Sequence, residues 1–315
     1  MTACKTLSPF GLLIAGLAFF SAAYAQAPQA PSDVTPRPGV GRIERIAQFP
    51  SHYVQARNVD VWMPPGYDPT VRYPVLYMQD GQMLFDAAIT WNHQAWHVDE
   101  VLAKLIGEGK VPPAIVVGVA NLAEARAAEF FPEKALDAVS QPARDDYIRR
   151  QLAGRALGDA YLKFVVTELK PYIDLHFPTL ADRAHTFIAG SSMGGAISVY
   201  ALCEYPNVFG GAAALSTYWG ASFEGNDHIP LAVFGYLDTH LPTPGDHRLY
   251  MDRGTLGLDA EFAANQAIVD QIATDHGYGR GNLFTKTYAG ATHDEDSWHA
   301  RLAAPLLFLL AGKAE

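Results

Sequence analysis

The sequence predicts an α/β fold, a mostly parallel central sheet with helices on both faces. Short apolar runs alternate with longer amphipathic stretches along most of the chain, the pattern of strands joined by crossover helices. Several of those runs are apolar throughout, as strands covered on both faces must be. The 315 residues, 49% hydrophobic and 18% charged, supply enough apolar surface for a large core without metal or disulfide staples.

Taken in order, Arg42–Phe49 and Asn58–Met63 read as an early strand pair, the second stopped by Pro64-Pro65-Gly66. Tyr73–Met78 (YPVLYM) is a compact strand closed by Asp80-Gly81. Trp96–Leu105 is helical, with Val98, Val101, Leu102 and Leu105 on one face. Ala114–Val119 is a buried strand. Residues 121–149 are polar and aperiodic, and read as an irregular inserted cap or loop. Leu157–Leu175 is a long amphipathic helix that Pro171 should bend or break. Thr186–Ala189 is a strand, followed by a helix over Gly194–Tyr205. Ala212–Leu215 and Leu249–Asp252 are short strands, with a helix inside Leu258–His276. Phe284–Tyr288 is the last strand and Trp298–Leu310 the last helix.

The start of the mature domain is read from composition. Lys5, the apolar run of residues 10–23 and Ala23-Tyr24-Ala25 form a signal peptide over residues 1–25, with cleavage before Gln26. Residues 26–40 are rich in Pro and Ala and read as a flexible leader. The remaining 41–315 form one domain. These features predict a secreted or periplasmic protein with no stable membrane span after cleavage. Removal of Lys5 takes the net charge from −10 to −11. A net-acidic chain without a basic block excludes nucleic acid as the expected partner. Cleavage also removes Cys4, leaving Cys203 alone in an apolar helical stretch, where a buried inert thiol is expected.

In open sheets of this kind the chemistry lies beyond the carboxyl ends of the strands. Gly190-Ser191-Ser192-Met193-Gly194 sits there, between a strand and a helix, and matches G-x-S-x-G. The spacing has a physical reason. A serine hydroxyl is a weak nucleophile that must be lifted from the backbone toward a base, and a sharp strand-to-helix turn lifts it. The flanking glycines let strand and helix approach, and the helix N-terminus favours a developing oxyanion. The turn lacks the Lys of a phosphate-binding loop, which argues against a nucleotide site. Ser192 is therefore the candidate nucleophile, in an α/β-hydrolase fold.

In that fold an acid and then a histidine follow the serine. Six of the eleven histidines come after Ser192, and His293 stands just beyond the last strand, where a general base belongs. His299 falls inside the last helix and suits packing. Two carboxylates follow the penultimate strand. Asp252 lies at the strand end and could pair with Arg253, whereas Asp259 lies in the loop from which an imidazole is oriented. Asp259 is the preferred acid, with Asp252 the alternative. The cluster His293-Asp294-Glu295-Asp296 lacks metal-ligand spacing, so neither metal nor cofactor is expected. The oxyanion hole should use the Met193 amide and an amide from Asp80-Gly81-Gln82, with Gln82 the donor.

These residues resemble the putative-esterase family of α/β hydrolases, which includes enterochelin esterases, feruloyl and acetylxylan esterases, S-formylglutathione hydrolases and mycolyltransferases. The resemblance is carried by VLYMQDGQMLFD, EFFPEKAL, FIAGSSMGG, YMDRGTLGLD and YAGATHDEDSWHARL. It implies the nucleophile at Ser192, the base at His293, and oxyanion amides at Gln82 and Met193. It favours Asp259, which follows Gly254-Thr255, although two extra residues intervene. The family often carries an Arg and a Glu at this place, here Arg126 and the Glu129 of EFFP, for which the resemblance offers substrate contact as a role. Trp298 is a further candidate contact, among aromatic residues that suit pocket lining or core packing equally.

The expected function is a serine esterase acting on a small-molecule ester through a Ser-His-Asp triad and an acyl-enzyme. Acyl transfer to an alcohol, and a catalytically silent binding protein, are the alternatives. Siderophore, feruloyl and acetyl-sugar esters all remain open, as does the oligomeric state.

Overall fold

The computed structural model describes residues 34–220 and 228–311. The predicted signal peptide, residues 1–25, lies outside them. Eight strands form one sheet: β1 (Arg42–Phe49), β2 (Arg57–Met63), β3 (Val75–Met78), β4 (Ile115–Val119), β5 (Thr186–Ser191), β6 (Gly211–Leu215), β7 (Arg248–Arg253) and β8 (Leu283–Thr287). Their spatial order is β1-β2-β4-β3-β5-β6-β7-β8. The β1–β2 and β2–β4 pairs are antiparallel and every later pair is parallel. This is the predicted mostly parallel sheet of an α/β hydrolase.

The helices are α1 (Val98–Gly107), α2 (Arg126–Phe130), α3 (Gln141–Gln151), α4 (Gly158–Phe164), α5 (Lys170–His176), α6 (Met193–Glu204), α7 (His228–His240), α8 (Leu258–Glu261), α9 (Ala263–Asp275), α10 (Glu295–Arg301) and α11 (Ala303–Ala311). They cover both faces of the sheet. Alternation along each strand divides the core: Tyr77, Val117 and Ile188 face one layer, while Leu76, Val116 and Phe187 face the other. The second layer is closed by α1 through Val98, Leu102 and Leu105, and by Leu306–Leu310 of α11.

Four stretches differ from the sequence reading. Residues 121–149 hold α2 and α3; α3 buries only Tyr147, so it carries no apolar stripe to read. α7 was not expected at all, because Pro230 and Gly235 interrupt its pattern, yet it buries Ile229, Val233, Tyr236 and Leu237. The helix expected over Leu157–Leu175 runs through α4 and α5, joined by a widened π turn at Val165–Leu169. Pro171, which has no N–H to give the preceding turn, lies just beyond it. The last helix starts earlier than predicted, at Glu295, where the Asp294 side chain accepts from the Ser297 N–H at 2.7 Å.

The leader also differs where it is described. Residues 34–40 are tied to the domain rather than free: Asp99 Oδ2 accepts from the amides of Gly39 (2.7 Å) and Val40 (3.2 Å), and the Trp62 indole donates to the Val40 carbonyl at 2.7 Å.

Because β3 to β8 are parallel, their carboxyl ends share one edge. Asp80, Ser192, Ser216, Asp259 and His293 all follow strands at that edge, and Asp252 lies within β7, one residue before its end.

Candidate active site

Ser192 sits between β5 and α6 with φ 55° and ψ −125°, a region that non-glycine residues rarely adopt. The turn is tight. A Cβ at Gly190 would lie 2.6 Å from the Gly194 backbone, and one at Gly195 would lie 2.4 Å from Thr217 Oγ1. The Ser192 backbone holds the bend in place: its N–H donates to Leu215 O at 2.9 Å, and its carbonyl accepts from the amides of Gly195 (3.1 Å) and Tyr218 (3.2 Å). Ser191 is 3% exposed at the end of β5, while Ser192 is partly exposed. The motif thus presents one hydroxyl and buries the other.

Across the edge, His293 Nδ1 lies 2.6 Å from Asp259 Oδ1. With a carboxylate as acceptor, Nδ1 carries the ring proton and Nε2 is left as the basic nitrogen. The ring is held edge-on by Phe262 (centroids 5.5 Å apart) and Trp298 (5.1 Å). Among the described residues no hydrogen bond joins the Ser192 hydroxyl to His293; such contacts often close only around a substrate.

Asp259 is fully buried, and its second oxygen accepts from the Gly254 amide and the Ser216 hydroxyl, each at 2.5 Å. Burial works against its charge, but the hydrogen bonds from His293 and Ser216 outweigh it and hold the carboxyl below its ordinary range. Asp252, the alternative acid, is engaged elsewhere. It accepts from Tyr250 Oη at 2.7 Å and from Arg301 Nε at 3.2 Å. Its expected pairing with Arg253 is not made; Arg253 donates instead to the Gly254 carbonyl at 2.9 Å.

The loop after β3 turns at Asp80, in the left-handed region at φ 55° and ψ 45°, and continues as a short helical turn over Gly81–Met83. A Cβ at Gly81 would stand 2.5 Å from the Gly118 backbone, so only glycine lets this turn pack on β4. Gln82 and Met193 are each in the first turn of a helical segment, where N–H groups have no intrahelical acceptor. The Gln82 side chain is used structurally, accepting from the Asn121 amide at 3.1 Å. Asp80 is clamped by Arg126, whose Nε and Nη2 each donate at 2.8 Å, and by Asn121 Nδ2 at 2.6 Å. Arg126 therefore braces the turn that carries Gln82.

The other predicted contacts are buried and already partnered. Glu129 is 1% exposed and forms a two-pronged pair with Arg57, both contacts 2.7 Å, so it could meet a substrate only if that pair broke. Trp298 is 5% exposed and donates its indole N–H to Ser216 Oγ at 3.1 Å. His299 packs as expected, with Nδ1 2.9 Å from the Trp96 carbonyl oxygen. Burial pushes the Cys203 thiol well up, so it is not a thiolate nucleophile.

Sequence reasoning missed Ser216 and Arg301. Ser216 is fully buried at φ 45°, and Arg301 Nη2 donates to its hydroxyl at 2.6 Å. Ser216 lies in no motif, its only signal being a polar residue directly after an all-apolar strand; Arg301 lies inside YAGATHDEDSWHARL, but nothing in that stretch marks its partner. Among the described residues no group of three His, Cys, Asp or Glu could hold a metal ion, and no helix is long and apolar enough to cross a membrane.

Comparison with known proteins bears on the family and the fold. A family model described as Putative esterase matches residues 52–309. The protein YbbA of Bacillus subtilis (strain 168) is 22% identical over 250 residues, 77% of this chain and 88% of that one. An endo-1,4-beta-xylanase/feruloyl esterase of Xylanibacter ruminicola is 27% identical over 201 residues; the match covers 60% of this chain but 22% of that larger protein. A crystal structure of the Shigella flexneri enterobactin esterase superposes with a TM-score of 0.63 at 21% identity, over 90% of this chain and 62% of that one, and so shares its fold.

Proposed function

The chain belongs to the putative esterase family as a carboxylic-ester hydrolase, and on that premise we propose that it works through Ser192, His293 and Asp259 by way of an acyl-enzyme. Ser192 Oγ attacks the ester carbonyl as His293 Nε2 takes its proton. Asp259 holds the resulting imidazolium through Nδ1. The amides of Gln82 and Met193 donate to the oxyanion of the tetrahedral intermediate. As the intermediate collapses, the alcohol leaves with the proton from His293. Water then attacks the acyl carbon, giving a proton to His293, and as this second intermediate collapses His293 returns that proton to Ser192 Oγ while the carboxylic acid departs.

The observation that carries this reading is the 2.6 Å pairing of His293 with Asp259 at the sheet edge on which the strained Ser192 also opens. A panel of p-nitrophenyl, feruloyl and siderophore esters, run with Ser192→Ala as control, tests it. Turnover of at least one ester, lost in the variant, is expected. Equal turnover by Ser192→Ala contradicts it.

The acid leaving the enzyme is most economically assigned within the relatives' range. The xylanase/feruloyl esterase and the enterobactin esterase mark an aromatic acyl group or a siderophore lactone as the first esters to try. We also assign residues 1–25 as a cleaved export signal, which N-terminal sequencing of the mature protein tests; it should begin at Gln26.

A further inference from the structure

Besides the catalytic edge, the protein has a half-open cavity of about 240 Å³ lined by His52, Tyr53, Gln55, Ala125, Glu129 and Arg155, among others. It lies on the same edge of the sheet. Residues 50–56 connect the antiparallel β1 and β2, and Val59 at the start of β2 pairs with Val119 at the end of β4. Ala125 and Glu129 lie beyond the end of β4, and Arg126 between them reaches Asp80 of the oxyanion turn. One short helix therefore faces both the cavity and the catalytic loop. From β2 to β5 the sheet crosses three strand spacings, about 14 Å, the lateral separation between the strand that enters from the cavity and the one that leads to Ser192.

The charges around the cavity are unequal. Glu129 is neutralised by Arg57, and His52 Nδ1 lies 2.8 Å from Glu168 Oε1. The Arg155 guanidinium lines the cavity with no hydrogen bond or ion pair to another side chain among the described residues. Tyr53 is 38% exposed, with Lys163 Nζ 4.6 Å from its ring centroid. The cavity thus offers a planar cation without a side-chain partner among the described residues and an aromatic ring, with its own carboxylate already satisfied. That set suits a carboxylate on a sugar or similar ring, bound two-pronged by Arg155 and packed on Tyr53.

We propose that this cavity is an accessory subsite for a carboxylate-bearing arm of the ester substrate, set about 14 Å across the sheet from the strand that leads to Ser192. The inference rests on the esterase reading for the identity of the second site, but the binding itself does not require turnover. Titration of full-length Ser192→Ala protein with glucuronate, glucose and inorganic phosphate, followed by saturation-transfer NMR and calorimetry, tests it. Glucuronate should bind, glucose should bind at least about tenfold more weakly, and Arg155→Gln in the same background should weaken glucuronate by about tenfold or more. Absent glucuronate binding, equal binding of glucose, or binding unchanged by Arg155→Gln overturns the proposal. Phosphate binding tighter than glucuronate overturns the carboxylate assignment. Failure of the wild-type protein to hydrolyse p-nitrophenyl acetate would count against the esterase reading alone.

Discussion

Ser216 Oγ lies 2.5 Å from Asp259 Oδ2 while accepting from Trp298 Nε1 at 3.1 Å and Arg301 Nη2 at 2.6 Å. A hydroxyl has two lone pairs and one proton. Both lone pairs are taken, so the proton is directed at Asp259. The Asp259 carboxylate is thereby held from one side by Ser216 and Gly254, and its other oxygen is left for His293.

Ser216→Ala should accordingly impair catalysis without touching the nucleophile. It removes a donor from Asp259 and leaves the Trp298 and Arg301 donors without their buried acceptor. A loss of about 1–3 kcal/mol in stability is expected. Steady-state kinetics should show kcat falling by about tenfold or more with KM little changed.

The two carboxylates at and beyond the end of β7 should separate cleanly. Asp259→Asn should lower kcat by about 10⁴, because an amide cannot hold the imidazolium. Asp252→Asn should act mainly on stability, by about 3 kcal/mol, since it breaks the buried pair with Arg301. Thermal unfolding beside kcat for both variants checks the contrast.

Ser192→Gly should destroy activity and raise stability. Serine at φ 55° and ψ −125° is strained, and glycine is not, which is worth about 1 kcal/mol. A higher midpoint of thermal unfolding together with lost ester hydrolysis is the expected pair of results.

Stability should depend on pH through two opposed carboxyls. Burial raises the Glu295 carboxyl above its ordinary 4.5, outweighing the hydrogen bond from Asn92. Its anion therefore penalises the fold at neutral pH, and the penalty lifts as pH falls through the folded value toward 4.5. Glu295→Gln should stabilise the protein at pH 7–8 and lose that advantage below about pH 4.5. Asp259 has the opposite sign. Its folded value lies below 3.8 despite burial, so its contribution is present above 3.8 and is lost as pH falls further through the folded value. Unfolding midpoints of wild type and Glu295→Gln across pH 3–8 check both signs.

Much of this was legible in the sequence because the physics is local. The apolar strand over 186–189, the G-x-S-x-G turn and the histidine beyond the last strand each announce themselves within a few residues, and the sheet follows from their alternation. α7 was hidden because Pro230 and Gly235 disturb its period, and α3 because it buries almost nothing. The choice between Asp252 and Asp259 needs three dimensions, since only a distance shows which carboxylate meets His293. Ser216 and Arg301 stand 85 residues apart, and their contact has no local signature. Glu129 opens the EFFP stretch that carries the resemblance, and only the fold reveals Arg57 already holding it.

Labelling with a fluorophosphonate, followed by peptide mass spectrometry, tests the central claim most directly. The adduct should form on Ser192 in the wild type and fall to background in His293→Ala. An adduct on Ser191, or none at all on a folded protein, would contradict the account.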